Sequence, residues 1–333
     1  MLNADLKEFE FISEYDELGI SAVLAVPSGE TNGIVQIVHD MNEHKERYYP
    51  FMDYLAEQGF ITVIHDNRGH GKSIVGPDDL GFMFRKGGEG FVSDITQLNK
   101  RIGEAYPNVP IFMIASGVGA AGAMCFLKEH DDRVNGLVLL GTVGYSRFSP
   151  ITRTINSVAS KRPGSRFRSE KIFDTVDDCF GKFFESPINS WRCSDADAVL
   201  AFNEDTLCNF KPTLNGYQEL LWLIRNSQTG SGWDVKNPSL PIRFISGKDD
   251  PAMISEKKFM NIMKKVEKNG YESISHRLFE GMRHDVLMEK NSMNVYKDIA
   301  KTLFSWLDRW NEERIESMTV TPAAAVAAAE DKQ

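Results

Sequence analysis

The chain has 333 residues, 42% of them hydrophobic, and a formal net charge of -9. That is enough apolar material for one large domain, or for one domain carrying an insertion. The acidic balance argues against a nucleic acid or an anionic membrane surface as the main partner. The first residues, "MLNADLKEFEF", lack the basic and apolar regions of a secretory signal. No apolar run approaches the ~18 residues of a membrane span. A soluble, cytoplasmic protein is expected, with no transmembrane segment.

Two apolar runs open the chain, "FEFIS" and "SAVLAVP", and predict an antiparallel hairpin. "GIVQIVHD", "FITVIHD", "PIFMIAS", "VNGLVLLGT", "PIRFISG" and "ISHRLFEG" follow. The middle runs are almost unbroken Val, Ile, Leu and Phe, as in strands covered on both faces. Between them, "RYYPFMDYLAEQG" and "GFVSDITQLNKRIGEAYP" carry apolar residues at helical spacing. Strand and helix in alternation predict a right-handed, mostly parallel α/β sheet.

The rhythm changes between residues 145 and 236. "SRFSPITRTINSVASKRPGSRFRSEK" is basic and polar, and "DADAVLAFNEDTLCNFKPTLNGYQELLWLI" is amphipathic and helical. The reading is a core of residues 1–144 and 237–315, interrupted by a helical insertion over 145–236 and followed by a disordered tail, 316–333. The Arg/Lys cluster of the insertion is either a solvated face or a docking surface for anionic groups at a pocket mouth. Phe148, Phe167, Phe173, Phe183, Phe184, Trp191, Phe210 and Trp222 supply apolar surface there, mostly as core, with a few lining a channel.

Ligand sites in open α/β sheets gather beyond the carboxyl ends of the strands. Five loops stand there. "VHDMNEHKERY" offers backbone N–H groups for an oxyanion. "HDNRGHGKS" has glycines and cations but not the spacing of a phosphate loop. "PIFMIASGVGAAGAM" is a strand, a tight turn and a helix of small residues. "SGKDDPAMI" and "FEGMRHDVLMEK" place Asp250 and then His284 past strand ends. That is the chain order of the acid and the histidine in a Ser…Asp…His triad. Cys125, Cys179, Cys193 and Cys208 show no metal-ligand spacing, so buried reduced thiols are expected, with no metal and no cofactor.

Together these residues resemble the monoacylglycerol lipase/lysophospholipase branch of the α/β-hydrolase fold, grouped with the serine aminopeptidases. "HDNRGHGKS", "GFMFRKGGEGFVSDITQL", "NGLVLLGT", "GKDDP" and "GMRHDVLME" carry the resemblance, which runs from about Phe9 to Trp310. It implies a sheet of about eight mostly parallel strands with a helical cap, and a serine ester hydrolase acting on acyl or lipid-like molecules. It also implies a nucleophile elbow, roughly Gly-His-Ser-Met-Gly-Gly, where this chain has Ala115, Ser116, Gly117, Val118, Gly119 and Ala120. Gly117 therefore holds the nucleophile position. The backbone N–H groups of Met41 and Val118 take the oxyanion positions, and Asp40 replaces a glycine beside them. Asp40 and Ser116 are thus expected to modify the pocket.

Three readings follow. In the first, the protein is catalytically impaired or re-purposed and binds an acyl or lipid-like ligand or a partner. In the second, it is an active carboxylic ester hydrolase using Asp250 and His284 with Ser116, or with an activated water. In the third, Gly117 is a single deliberate knockout, against which Ala115, Ser116, Val118, Ala120 and Asp40 all stand as further departures. If Gly117 is the sole defect, Gly117→Ser restores activity; if not, Asp40 is a second one.

Overall fold

The computed structural model describes residues 4–184 and 188–330, with side chains as far as residue 316. Eight strands form one sheet: β1 (Asp5–Ile12), β2 (Gly19–Val26), β3 (Gly33–Val38), β4 (Phe60–His65), β5 (Ile111–Ser116), β6 (Gly136–Leu140), β7 (Ile242–Gly247) and β8 (Ile274–Phe279). Their spatial order is β1-β2-β4-β3-β5-β6-β7-β8. β2 pairs antiparallel with β1 and β4; from β4 to β8 every pairing is parallel. Each of the eight apolar runs is one of these strands.

The parallel strands are apolar on both sides because helices cover both faces. Along β5, Phe112 and Ile114 pack into a core with Phe51 and Leu55 of α1 (Tyr49–Glu57) and Val295, Ile299 and Leu303 of α9 (Ser292–Glu330). Met113 and Ala115, pointing the other way, pack with Phe91 and Ile95 of α2 (Gly87–Ala105), Ala120 and Met124 of α3 (Gly117–His130), and Phe259 of α8 (Glu256–Lys268). The small residues of α3 let it lie close to the sheet. A Cβ on Gly119 would stand 2.4 Å from the His39 carbonyl oxygen. The backbone of α9 remains helical to Glu330, through most of the segment expected to be disordered; alanine, abundant there, has the highest helix propensity.

Between β6 and β7 the chain forms the cap: α4 (Pro150–Ala159), α5 (Glu170–Gly181), α6 (Ala196–Glu204) and α7 (Leu214–Ser227). Ser149, Ser169, Asp195 and Thr213 cap the four N-termini through their side chains. Ile155, Val158, Ile172, Leu214 and Tyr217 make a small core of the cap's own. Leu220 and Leu223 of α7 instead join the main core, so the cap is seated on α2 and α3. Part of the basic cluster fastens this seat. Arg166 pairs with Asp79, and Arg168 donates to the carbonyls of Asp78 and Leu80, both at 2.8 Å. Neither arginine is a free anion site, although the Arg166 side chain stays more than half exposed to solvent.

The loop "HDNRGHGKS" after β4 is a clasp. Arg68 is fully buried; its Nε and Nη2 reach the two Asp94 carboxylate oxygens at 2.9 and 3.1 Å, and its Nη1 reaches Asp16 at 2.8 Å. Asp66 takes the Lys45 ammonium at 2.6 Å with both side chains buried. Ser73 accepts from the Ser21 N–H at 3.0 Å. The loop's charges thus tie the β1–β2 hairpin, α2 and the β3 loop together, leaving Arg68 unavailable to a phosphate. Breaking a buried pair on one side costs ~3–5 kcal/mol, because the other charge is stranded. Asp94→Ala is therefore expected to lower the free energy of unfolding in urea by about that amount. A loss under ~1 kcal/mol, the range of exposed pairs, would contradict this role.

Candidate active site

Four loops converge beyond the carboxyl ends of β3, β5, β7 and β8, bringing Asp40, Gly117, Asp250 and His284 together. Asp250 caps a short turn by accepting from the Ala252 N–H at 2.8 Å, and its Oδ2 takes the Ser246 hydroxyl at 2.9 Å. The same oxygen lies 3.0 Å from His284 Nδ1. The pair has the geometry expected of the acid and histidine of a triad, with both side chains buried.

The elbow itself is vacant of any side chain and filled from outside. Gly117 has φ +54°, a left-handed conformation in which a side chain is strained. A Cβ there would stand 2.0 Å from Asp40 Oδ1 and 2.1 Å from Asp40 Cγ. The Asp40 carboxylate thus occupies the space a nucleophile would enter. Its Oδ1 accepts the Val118 N–H at 2.7 Å, and its Oδ2 lies 3.2 Å from His284 Nε2. Two of the groups that a hydrolase would aim at a reacting ester, one oxyanion N–H and the imidazole, are therefore already bound to Asp40. Met41 lines the adjoining cavity, and its carbonyl accepts from Arg192 at 3.1 Å.

Ser116 is not brought to this group. It follows the parity of Phe112 and Ile114, so it points to the α1 side of the sheet. There its hydroxyl meets the buried Tyr48 hydroxyl, and Ser116 does not line the cavity. The expectation that Ser116 modifies the pocket is corrected by that alternation.

Arg192, in the loop before α6, was invisible in the sequence as a site residue. Its guanidinium lies 3.3 Å from Asp40 and 3.3 Å from Asp285, and it stacks on Trp191 and Phe202. No local pattern announces a residue 152 positions from Asp40. Asp285, next to His284, also receives Arg47 at 3.4 Å, and Arg47 binds Glu43 at 3.0 Å. The result is a buried charge network under the cap.

Burial alone would neutralise His284, but the Asp250 and Asp40 carboxylates outweigh it and hold its pKa well above the ordinary histidine value. Burial likewise opposes the Asp40 charge, but His284, Arg192 and the Val118 N–H outweigh it and hold its pKa below the carboxylate range. A carboxylate on each nitrogen favours the doubly protonated imidazolium, the form in which both nitrogens donate. His39 is the contrast. Its Nε2 accepts the Asn67 N–H at 2.8 Å, its Nδ1 donates to the Asp40 carbonyl at 2.6 Å, and burial lowers its pKa to about 3.

Among the described residues, two groups have metal-like geometry: Asp40, His284 and Asp285, and His44, Asp205 and Cys208. In the first, Arg192 and the imidazolium already supply the positive charge. In the second, His44 and Asp205 bond each other at 2.9 Å, and burial raises the Cys208 thiol to about 12, so it is not a thiolate at neutral pH. Neither donor set suits a cation. The cysteines are free; Cys125, Cys193 and Cys208 are buried as expected, but Cys179 is only half-buried and lines the cavity.

The cavity opens between the elbow and the cap. It encloses about 390 Å³ and is lined chiefly by apolar groups, among them Val143, Phe180, Trp191, Leu220 and Ile224, with Asp40 and His284 at its floor. Of the eight cap aromatics singled out in the sequence, Phe148, Phe183 and Trp191 line it; Phe148 and Phe183 are largely exposed at its mouth.

The protonation state is directly measurable. A raised histidine pKa gives stabilisation that is complete below the unfolded value of ~6.5 and is lost only as pH rises through the folded value. A lowered aspartate pKa gives stabilisation present above ~3.9 and lost only as pH falls through its folded value. The Asp40–His284 pair therefore persists across the neutral range. Imidazole nitrogen shifts by NMR should show His284 doubly protonated throughout that range and His39 neutral; a neutral His284 at neutral pH would contradict the ion pair.

The chain matches the serine aminopeptidase S33 family over residues 29–291. It is 20% identical over 279 residues to a monoglyceride lipase homolog of Monkeypox virus, covering 82% of this chain and 88% of that protein. Among solved structures, a thermostable carboxyl esterase from Bacillus coagulans is similar with a TM-score of 0.81 at 23% identity, over 91% of this chain and 99% of that one. A monoglyceride lipase from Saccharomyces cerevisiae gives 0.71 at 15% identity, over 92% and 97%. These two likenesses carry the fold alone. With the family match spanning most of the sequence, the protein belongs to the serine aminopeptidase S33 family and has the α/β-hydrolase fold.

Proposed function

We propose that this protein uses a lipase-like scaffold to bind an acyl or lipid-like ligand and does not hydrolyse esters. The observation that carries the reading is the Asp40 carboxylate, 2.0 Å from where a Cβ at position 117 would stand. Without a hydroxyl at the elbow there is no acyl-enzyme. A triad lacking one member keeps ~10³–10⁴-fold catalysis over water from the oxyanion hole and binding. Here Asp40 also takes the Val118 N–H, which removes part of that remainder.

The active-enzyme reading has less support. Ser116 faces Tyr48, away from His284. A water activated by His284 needs a neutral, accepting Nε2, whereas this nitrogen donates to Asp40. Retention of Asp250 and His284 fits the binding reading, because both complete the ion-pair network around Asp40. The ligand class rests on the apolar cavity and on relatives whose names describe lipases and an esterase. The yeast relative was solved with a substrate analog.

Three proteins test the reading: the unaltered chain, Gly117→Ser, and Gly117→Ser with Asp40→Gly. The first two should neither turn over p-nitrophenyl butyrate nor react with a fluorophosphonate probe, because the single change drives a Cβ into Asp40. The double variant should be labelled at position 117. Labelling of the unaltered chain at any serine of the site would refute the proposal. An inert but folded double variant would show that Asp40 and Gly117 are not the whole barrier.

A further inference from the structure

We infer that the cavity selects neutral amphiphiles whose head group donates a hydrogen bond, such as long-chain alcohols, acylglycerols or primary amides, and rejects the corresponding fatty-acid anions. This rests on the binding role proposed above and specifies its ligand.

The argument is one of donor and acceptor supply at the cavity floor. Three of the donors that would receive a carboxylate there are spent. The Val118 N–H goes to Asp40 Oδ1 at 2.7 Å, His284 Nε2 goes to Asp40 Oδ2 at 3.2 Å, and Arg192 goes to the same oxygen at 3.3 Å. His284 Nδ1 is held by Asp250 at 3.0 Å. The group that closes the floor is itself a carboxylate, in the position a bound fatty-acid head would take. Its remaining lone pairs accept and cannot donate. A second carboxylate would find the His284 and Arg192 cations already paired, and in a cavity of mostly apolar lining its desolvation would go largely uncompensated. A hydroxyl or amide N–H brings what the floor lacks. Two of the hydroxyls nearer the cap are engaged as well: Ser149 donates to Thr152 Oγ1 at 2.9 Å, and Thr152 donates to the Ser146 carbonyl at 3.0 Å. A long-chain amine gains little, since Asp40 is already paired with two cations.

The test uses the unaltered protein and the neutral apolar fluorophore N-phenyl-1-naphthylamine, displaced by dodecanol, dodecanamide, dodecanoate and dodecylamine below their aggregation limits at mildly alkaline pH. Dodecanol and dodecanamide are expected to compete at least ~10-fold better than dodecanoate, the factor given by a 1.4 kcal/mol penalty. In Asp40→Asn that gap should shrink to within about threefold. Dodecanoate or dodecylamine competing as well as dodecanol in the unaltered protein overturns the inference and leaves ligand binding intact. So does a gap that survives Asp40→Asn, since the preference would then arise elsewhere, for example from Lys182 at the cavity mouth. If neither the fluorophore nor any of the four compounds binds, the binding role itself fails. The order of affinities in the unaltered protein decides the matter even if Asp40→Asn does not fold.

Discussion

The Asp40 carboxylate is the point on which the site is built. It accepts from the elbow backbone at Val118, from the imidazolium of His284 and from the guanidinium of Arg192. Those three partners come from the β5–α3 turn, the loop after β8 and the cap. A buried charge is tolerated only when it is paired and hydrogen-bonded, and here each pairing fixes a different part of the chain. The cap's hold on the core at this point is electrostatic, whereas at α7 it is apolar, through Leu220 and Leu223.

Around Asp40 the charges come close to balance. Glu43, Asp40, Asp250 and Asp285 face Arg47, Arg192 and His284, all of them buried or nearly so. Burial, with Glu43 adding to it, lifts the pKa of Asp285, which moves the group toward neutrality. Phe202 lies between Arg47 and Arg192, at 4.8 and 4.6 Å from their guanidinium carbons, and its ring faces spread the positive charge. The histidine of an ester hydrolase must cycle between neutral and charged. This surrounding holds it in one state.

Much of this was legible in the sequence, for identifiable reasons. The strands announced themselves because two-sided burial leaves unbroken apolar runs such as "PIFMIAS" and "GLVLL". Asp250 and His284 were legible because each follows a strand in a short motif, and Gly117 because Pro110 fixes the register of the elbow. The side to which Ser116 points was implied by β-strand alternation, although the resemblance alone suggested a place in the pocket. Arg192 was not legible, since its meaning arises from a contact across 152 positions. The inward turn of Arg168 was hidden for the same reason: a basic stretch reads alike whether it faces water or the turn at Asp78–Leu80.

The 2.0 Å separation between Asp40 and the missing Cβ also makes the two positions interdependent. A side chain cannot be placed at 117 while the aspartate keeps this position, for want of room. The aspartate cannot be removed without leaving the His284 and Arg192 cations under the cap short of their shared partner. A change at either position alone thus meets an obstacle set by the other, and the pair acts as a single unit of sequence.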